Sequence, residues 1–204
     1  MARLIPLGRV EYREAWARQE AELAAVISGA ENAVIVCEHE AVYTLGRRRG
    51  AIANVLDAGD TPVIEVERGG DVTWHGPGQL VGYPILHLDR PGSPAPRDLH
   101  AHLHRLEDVV IDVCAALGLP AGRDERNTGV WVDGRKLCSI GVACRRWVAW
   151  HGLAINCNPD LSAFERINPC GLPVGTMTSL SVALKRDVTV GEVEGLLSDR
   201  VRDW

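Results

Sequence analysis

In Asn168-Pro169-Cys170-Gly171 a cysteine sits between a proline and a glycine, residues that make a tight turn able to present a thiol to a cleft. The thiolate is the nucleophilic form, and a neighbouring cation favours it by lowering the thiol pKa from its ordinary value of about 8.5. Cys170 therefore needs a partner. Lys136, His75 and His151 are the candidates, and spacing along the chain does not rank them. A Cys/His pair is the arrangement of thiol hydrolases. A Cys/Lys pair serves as well, because the ammonium stabilises thiolate and the neutral amine accepts a proton. Taken by itself, Lys136 also fits a surface lysine that follows a hairpin.

Arg68 to Pro84 is the second stretch built for contact with a ligand. Gly69-Gly70 and Gly76-Pro77-Gly78 mark two sharp loops bracketing Asp71 to His75. Glycine lets main chain approach a bound group, so the stretch taken cold reads as a phosphate cradle. His100, His102 and His104 invite a metal reading, but only His100 and His104 share a helix face. No nearby carboxylate or cysteine completes a tetrahedral set, so no metal is expected and the three histidines read as a wet face.

These residues need elements to hold them. Helical spacing of Tyr12, Trp16, Leu23 and Ile27 predicts a helix over Glu11 to Ser28. Ala33 to Cys37 and Val42-Tyr43 read as short strands, followed by the basic run Arg47 to Arg49. Val63 to Val66 and Leu80 to His87 read as strands entering and leaving the Gly-rich stretch, which would be an ordered loop between them. A long helix over Arg97 to Leu117 presents Leu99, Leu103, Leu106, Val110, Val113 and Leu117, with Gly118 as its stop. Val130 to Val132, Lys136 to Val142 and Trp147 to Ile155 are consecutive antiparallel strands, the first pair joined through Asp133-Gly134. A short helix over Asp160 to Ile167 and a closing helix over Thr189 to Val201, capped by Thr189, complete the pattern. The fold class is α/β (α+β), with a mixed, partly antiparallel sheet and flanking helices.

Composition narrows the setting. A chain of 204 residues without a low-complexity linker reads as one domain, 1–204. A net charge of −5 argues against a nucleic-acid partner, while Arg47 to Arg49 and Arg145-Arg146 could meet an acidic protein. No apolar run reaches the roughly 20 residues of a membrane span, so a cytoplasmic protein without a membrane partner is expected. Six cysteines without Cys-x-x-Cys spacing suit free thiols in a reducing compartment.

Three motifs together then carry a resemblance: RGGDVTWHGPGQLVGYPI, GRKLCSIGVACRRWVAWHGLAIN and INPCGL, preceded by the run Tyr43 to Arg47. In this order and spacing the chain resembles the lipoyl(octanoyl) transferases, which move an octanoyl group from acyl carrier protein to a lysine of lipoyl domains. The resemblance covers nearly the whole chain, and implies the fold of the biotin and lipoate protein ligase catalytic domain. It matches Cys170 to the family's acyl-thioester nucleophile and Lys136 to its acid/base partner. It also assigns substrate binding to three segments: Arg68, Gly69, Gly70, Asp71, Val72, Thr73, Trp74 and His75; then Ser139, Ile140 and Gly141; then Gly152, Leu153 and Ala154. Family members commonly run further than Trp204, a departure that leaves these motifs untouched.

The resemblance implies a monomer needing neither ATP nor metal, because the donor arrives as a thioester on phosphopantetheine. The implied partners are octanoyl-acyl carrier protein, the lipoyl domains of 2-oxoacid dehydrogenase complexes and the glycine cleavage H protein. Gly70, Gly141 and Gly152 are the expected oxyanion donors, and His75 either orients the acyl group or pins the Gly76-Pro77-Gly78 turn. An ATP-dependent ligase, a cysteine hydrolase and a silent lipoyl-domain binding module are the rival readings.

Overall fold

The computed structural model describes residues 1–91, 93, 96–168, 172–173 and 175–204. Cys170, with Pro169 and Gly171, lies outside the described residues. Two sheets organise the chain. The larger runs in the order β1-β2-β6-β9-β8-β7, formed by Arg3–Val10, Ala33–His39, Gln79–His87, Val148–Asn156, Arg135–Arg145 and Gly129–Val132. Apart from the parallel β1/β2 pair, its neighbours are antiparallel, so the sheet is mixed as expected. The smaller sheet runs β4-β3-β5, from Val63–Glu65, Val42–Leu45 and Val72–His75.

The small sheet corrects the reading of the Gly-rich stretch. Val72 to His75 is not a loop but strand β5, paired antiparallel with β3 in the register Val42↔His75 to Leu45↔Val72. All four of its residues are buried. A run of four residues between glycine turns is too short to show a period, and it draws its hydrogen bonds from a strand some thirty residues earlier. The opening strand β1 and the five-residue helix α3 at Leu180–Leu184 were likewise not anticipated.

Helices cover both faces of the large sheet. Helix α1, Tyr12–Ile27, is capped by the Glu11 carboxylate, which accepts from the N–H groups of Arg13 and Glu14. It lays Ala15, Leu23 and Val26 on Ile35, Val81, Ile85 and Trp150. On the opposite face, helix α2 (Leu99–Ala116, capped by Asp98) and helix α4 (Val190–Val201, capped by Thr189) pack Leu106, Val110, Val113, Val193 and Leu197 over Leu80, Leu137 and Ile155. Gly118 follows α2 with φ +73°, the left-handed residue that stops a helix.

The buried side of α2 holds Leu106, Val110 and Val113 of the expected row, but not all of it. Leu99, Leu103 and Leu117 are half-buried, whereas His102, Glu107 and Val109 are buried. His102 thus leaves the wet face, where only His100 and His104 remain exposed. The β7/β8 turn has φ 48° at Asp133 and 72° at Gly134, the two left-handed residues of a type I′ hairpin. The short helix expected over Asp160 to Ile167 is a 3₁₀ helix, Leu161–Arg166. Among the described residues no helix is long and apolar enough to cross a membrane.

Leu106 is fully buried between α2 and the sheet. Leu106→Ala is expected to cost about 2–5 kcal/mol, the range for a large-to-small change that leaves a cavity. Urea unfolding followed by circular dichroism measures it as a lower midpoint at unchanged slope.

Candidate active site

A cavity of about 250 Å³ lies between the two sheets, walled by the Arg68 to Thr73 segment, His75, Tyr12, Tyr83 and the β8/β9 pair. All but one of the residues assigned to substrate binding line it: Arg68, Gly69, Gly70, Asp71, Val72, Thr73 and His75, then Ser139, Ile140 and Gly141, then Gly152, Leu153 and Ala154. Trp74 is the exception. As its neighbours on β5 face the cavity, its ring packs 5.5 Å from Phe164 in the small sheet's own cluster. Pairing of β8 with β9 brings the second and third segments together, with Ser139↔Ala154, Ile140↔Leu153 and Gly141↔Gly152 in register.

Lys136 is no surface lysine. It is only 6 % exposed and lines the cavity. Its ammonium donates to the side-chain carbonyl of Asn127 and stands 5.8 Å from the centre of the Trp131 ring. Its stem runs across Gly129, where a Cβ would come within 2.8 Å of the Lys136 Cε and 2.3 Å of the Cys138 carbonyl oxygen. Glycine at 129, with φ +140°, is thus a condition for the lysine to enter the site. Glu107 of α2 holds that glycine by accepting from its N–H at 3.0 Å, and is itself paired with Arg123 at 2.7 Å.

The main chain of Lys136 also grips residues 176–178, a few positions after Cys170 in the sequence. The Lys136 N–H donates to Thr176 O at 2.8 Å, and the Thr178 N–H donates to Lys136 O at 2.9 Å. Leu172 and Met177 line the same cavity. Asn127, Thr128, Leu103 and Tyr12 complete parts of the wall that no motif marked, because they come from helices and loops distant in sequence.

A chain of buried hydrogen bonds ties the two sheets to Lys136. The Arg68 guanidinium donates to the Thr44 hydroxyl oxygen at 2.9 Å and to the carbonyls of Thr44 and Asp71. The Thr44 hydroxyl lies 3.3 Å from His75 Nε2. His75 Nδ1–H donates to Gln79 Oε1 at 2.7 Å, and the Gln79 amide donates to Asn156 Oδ1 at 2.9 Å. Asn156 donates in turn to Thr178 O at 3.0 Å. The direction follows from Gln79, whose NH2 is committed to Asn156, so its oxygen must accept and His75 carries its proton on Nδ1. Both ring nitrogens of His75 are therefore engaged by protein groups, Thr44 and Gln79.

Burial keeps the site's imidazoles neutral. Desolvation lowers the His75 pKa to about 3, with His39 and Arg68 nearby adding to the effect. His39, donating to Val10 O and accepting from the Tyr83 hydroxyl at 2.7 Å, is lowered to about 4, again chiefly by burial. His151 is lowered to about 3 by burial and then by Arg68. Among the described residues no group of three or more His, Cys, Asp or Glu could hold a metal ion.

At the surface, Arg47, Arg48 and Arg49 are exposed, and Arg48 reaches the cavity-lining Asp71 at 3.3 Å. Arg145 pairs with Glu67 at 3.0 Å, which joins the β8/β9 hairpin to the loop before Arg68.

The sequence matches the lipoyl protein ligase A/B catalytic domain over residues 11–202. Its curated relatives include the octanoyltransferase of Geobacter metallireducens, 48 % identical over 95 % of this chain and 89 % of that protein. The octanoyltransferase of Mycobacterium tuberculosis is 46 % identical over 96 % of this chain and 83 % of that protein. Among solved structures, a lipoate-protein ligase A bound with ATP superposes with a TM-score of 0.80, at 17 % identity, over 98 % of this chain and 85 % of that one. The biotin protein ligase of Aquifex aeolicus gives 0.52, at 14 % identity, over 100 % and 68 %. With this cavity, this fold and relatives of this closeness, the chain belongs to the lipoyl protein ligase A/B catalytic-domain family and, within it, to the octanoyltransferases.

The neutral histidines set a pH dependence. Their folded pKa values of about 3 to 4 lie below the ordinary histidine value of about 6.5, so below that pH the unfolded chain binds protons that the native state refuses. Stability should hold above neutrality and fall steadily as pH drops from about 6.5 toward 4. The urea midpoint measured at fixed salt from pH 8 to pH 5 checks this, and His39→Gln should make the decline shallower.

Proposed function

We propose that this protein transfers an octanoyl group from octanoyl-acyl carrier protein to one specific lysine of a lipoyl domain, through an acyl thioester on Cys170. The observation that carries the reading is the identity of 46–48 % with curated octanoyltransferases over 95–97 % of the chain. The structure supports it with a buried lysine beside a cavity of the right character for a medium acyl chain. Leu172, two positions beyond Cys170, lines that cavity with Lys136.

In the first half-reaction Lys136 as free amine takes the Cys170 proton, and the thiolate attacks the octanoyl carbonyl. A C–S bond to Cys170 forms, the C–S bond to phosphopantetheine breaks, and the departing thiolate takes the proton from Lys136. In the second, the amine of the target lysine attacks the new thioester. A C–N bond forms, the C–S bond to Cys170 breaks, and the proton lost by the attacking nitrogen passes through Lys136 to the departing Cys170 thiolate, which restores the thiol and the free amine. Gly70, Gly141 and Gly152, all on the cavity wall, are the candidates for holding the oxyanion of each tetrahedral intermediate.

Thioester exchange keeps the acyl group activated throughout, so the reaction draws on no ATP and no metal ion. The octanoyl chain gains about 0.8 kcal/mol per methylene buried. Lipoyl domains of 2-oxoacid dehydrogenase complexes and the glycine cleavage H protein are the acceptors, met by a monomer in the cytoplasm. Arg47 to Arg49, exposed beside the cavity-lining Asp71, offer the charge to receive an acidic carrier.

Incubation with octanoyl-acyl carrier protein and no ATP should add one octanoyl mass to the protein, and a lipoyl domain should then remove it. Cys170→Ser should show no adduct by intact-mass spectrometry, and Lys136→Ala should slow acylation by about 100-fold or more. An adduct on another residue overturns the role of Cys170, and AMP release with a strict need for ATP favours a ligase.

A further inference from the structure

His151 is the one cavity residue whose state the reaction does not explain. It is 1 % exposed, lines the cavity, and among the described residues neither ring nitrogen has a hydrogen-bond partner. Its ring stacks on Trp150 at 4.1 Å, and its backbone takes φ 58°, a left-handed conformation unusual inside a strand. A buried imidazole stranded in this way is destabilising unless something in the cavity bonds to it.

Strand register says where it stands. The Lys136 stem crosses Gly129, which pairs with Ser139, while His151 pairs with Val142. Ser139 and Val142 are three residues apart on β8, roughly 10 Å at the rise of a strand. Between them stand the pairs Ile140↔Leu153 and Gly141↔Gly152, and all four residues line the same cavity as Lys136 and His151. Gly69 closes over the far side, its N–H donating to Val142 O at 2.9 Å. In the octanoyl-transfer reading the reacting carbonyl sits beside Lys136, so the tail of the chain runs away from it through the cavity, toward His151.

We propose that His151 sets the acyl-chain specificity of this site by making the far end of the slot polar: it rejects apolar chains long enough to cover its ring, and accepts a longer chain whose terminal atom hydrogen-bonds to it. The proposal rests on the octanoyl-transfer reading. A neutral imidazole offers one donor and one acceptor, the same pair that a hydroxyl presents. An apolar terminus pressed against it leaves both unsatisfied, whereas a chain stopping short leaves them to water. Selection of this kind works by an unpaired polar group set against the wrong substrate.

Four carrier-bound donors test it on the native protein: octanoyl, nonanoyl, decanoyl and 8-hydroxyoctanoyl. Nonanoyl and 8-hydroxyoctanoyl have equal length and differ in one terminal atom. The expected result is a kcat/KM for 8-hydroxyoctanoyl at least tenfold above that for nonanoyl, with decanoyl lower still. In His151→Phe that ratio should collapse to about one or invert. Equal rates for the two nine-atom chains in the native protein overturn the proposal whether or not the variant folds. A loss in His151→Phe that is the same for all four donors also overturns it, and moves the imidazole's partner to the phosphopantetheine arm. Failure to transfer octanoyl at all would instead strike the octanoyl-transfer reading, which this series tells apart from failure of the specificity role.

Discussion

The structure depends on a line of buried polar groups crossing from one sheet to the other. Arg68, Thr44, His75, Gln79, Asn156 and Thr178 are linked donor to acceptor until the line ends on the main chain of Lys136. Every member is buried, so each is strongly held only while its neighbour is in place. An apolar seam between the sheets would bring them together but would leave their relative position loose. The polar line fixes it, because a shift of an ångström would strand several buried groups at once. The cavity inherits its shape from that constraint.

The glycines of the central stretch answer to the same requirement. A Cβ on Gly46 would lie 2.4 Å from the Gly70 carbonyl oxygen, one on Gly76 would strike the Trp74 indole at 2.1 Å, and one on Gly78 would meet Asn158 and Pro159 at 2.7–2.8 Å. The Gly69 N–H is already given to Val142 O. A phosphate cradle needs free backbone N–H groups converging on one point. These glycines are spent on close approach of backbone to backbone, which lets Arg68 and β5 settle between the sheets.

Local pattern made much of the fold legible. The cap at Thr189, the Asp133-Gly134 turn and the three consecutive strands from residue 129 onward all signal through neighbours close in sequence. The split into two sheets was hidden, since Val72 to His75 pairs with β3 and nothing within four residues can announce a partner thirty residues away. For the site, the resemblance carried by the three motifs located Lys136 and most of the cavity wall, but Trp74 shows that membership of a motif does not mean a place on the wall: it shares the small sheet's cluster with Val72, and its ring packs on Phe164. The burial of His102 and Glu107 was equally invisible. Each is a polar residue whose environment comes from tertiary packing, and Glu107 is retained there because Gly129 and Arg123 satisfy its oxygens.

Placing Lys136 on a central strand rather than a loop has a chemical consequence. Both of its backbone groups hold the 176–178 segment, which fixes its Cα, and its stem has a defined channel over Gly129. Such placement is compatible with the two successive proton transfers of the acyl transfer proposed above, for which nucleotide-driven adenylation is the rival chemistry. The ligase fold is shared at 17 % identity, so the fold by itself is neutral between these chemistries. What the chain adds to that fold is a glycine-cleared channel for a lysine, main-chain hydrogen bonds at that lysine, and a Gly141↔Gly152 pair that lets the main chain of Gly69 and Gly82 approach closely.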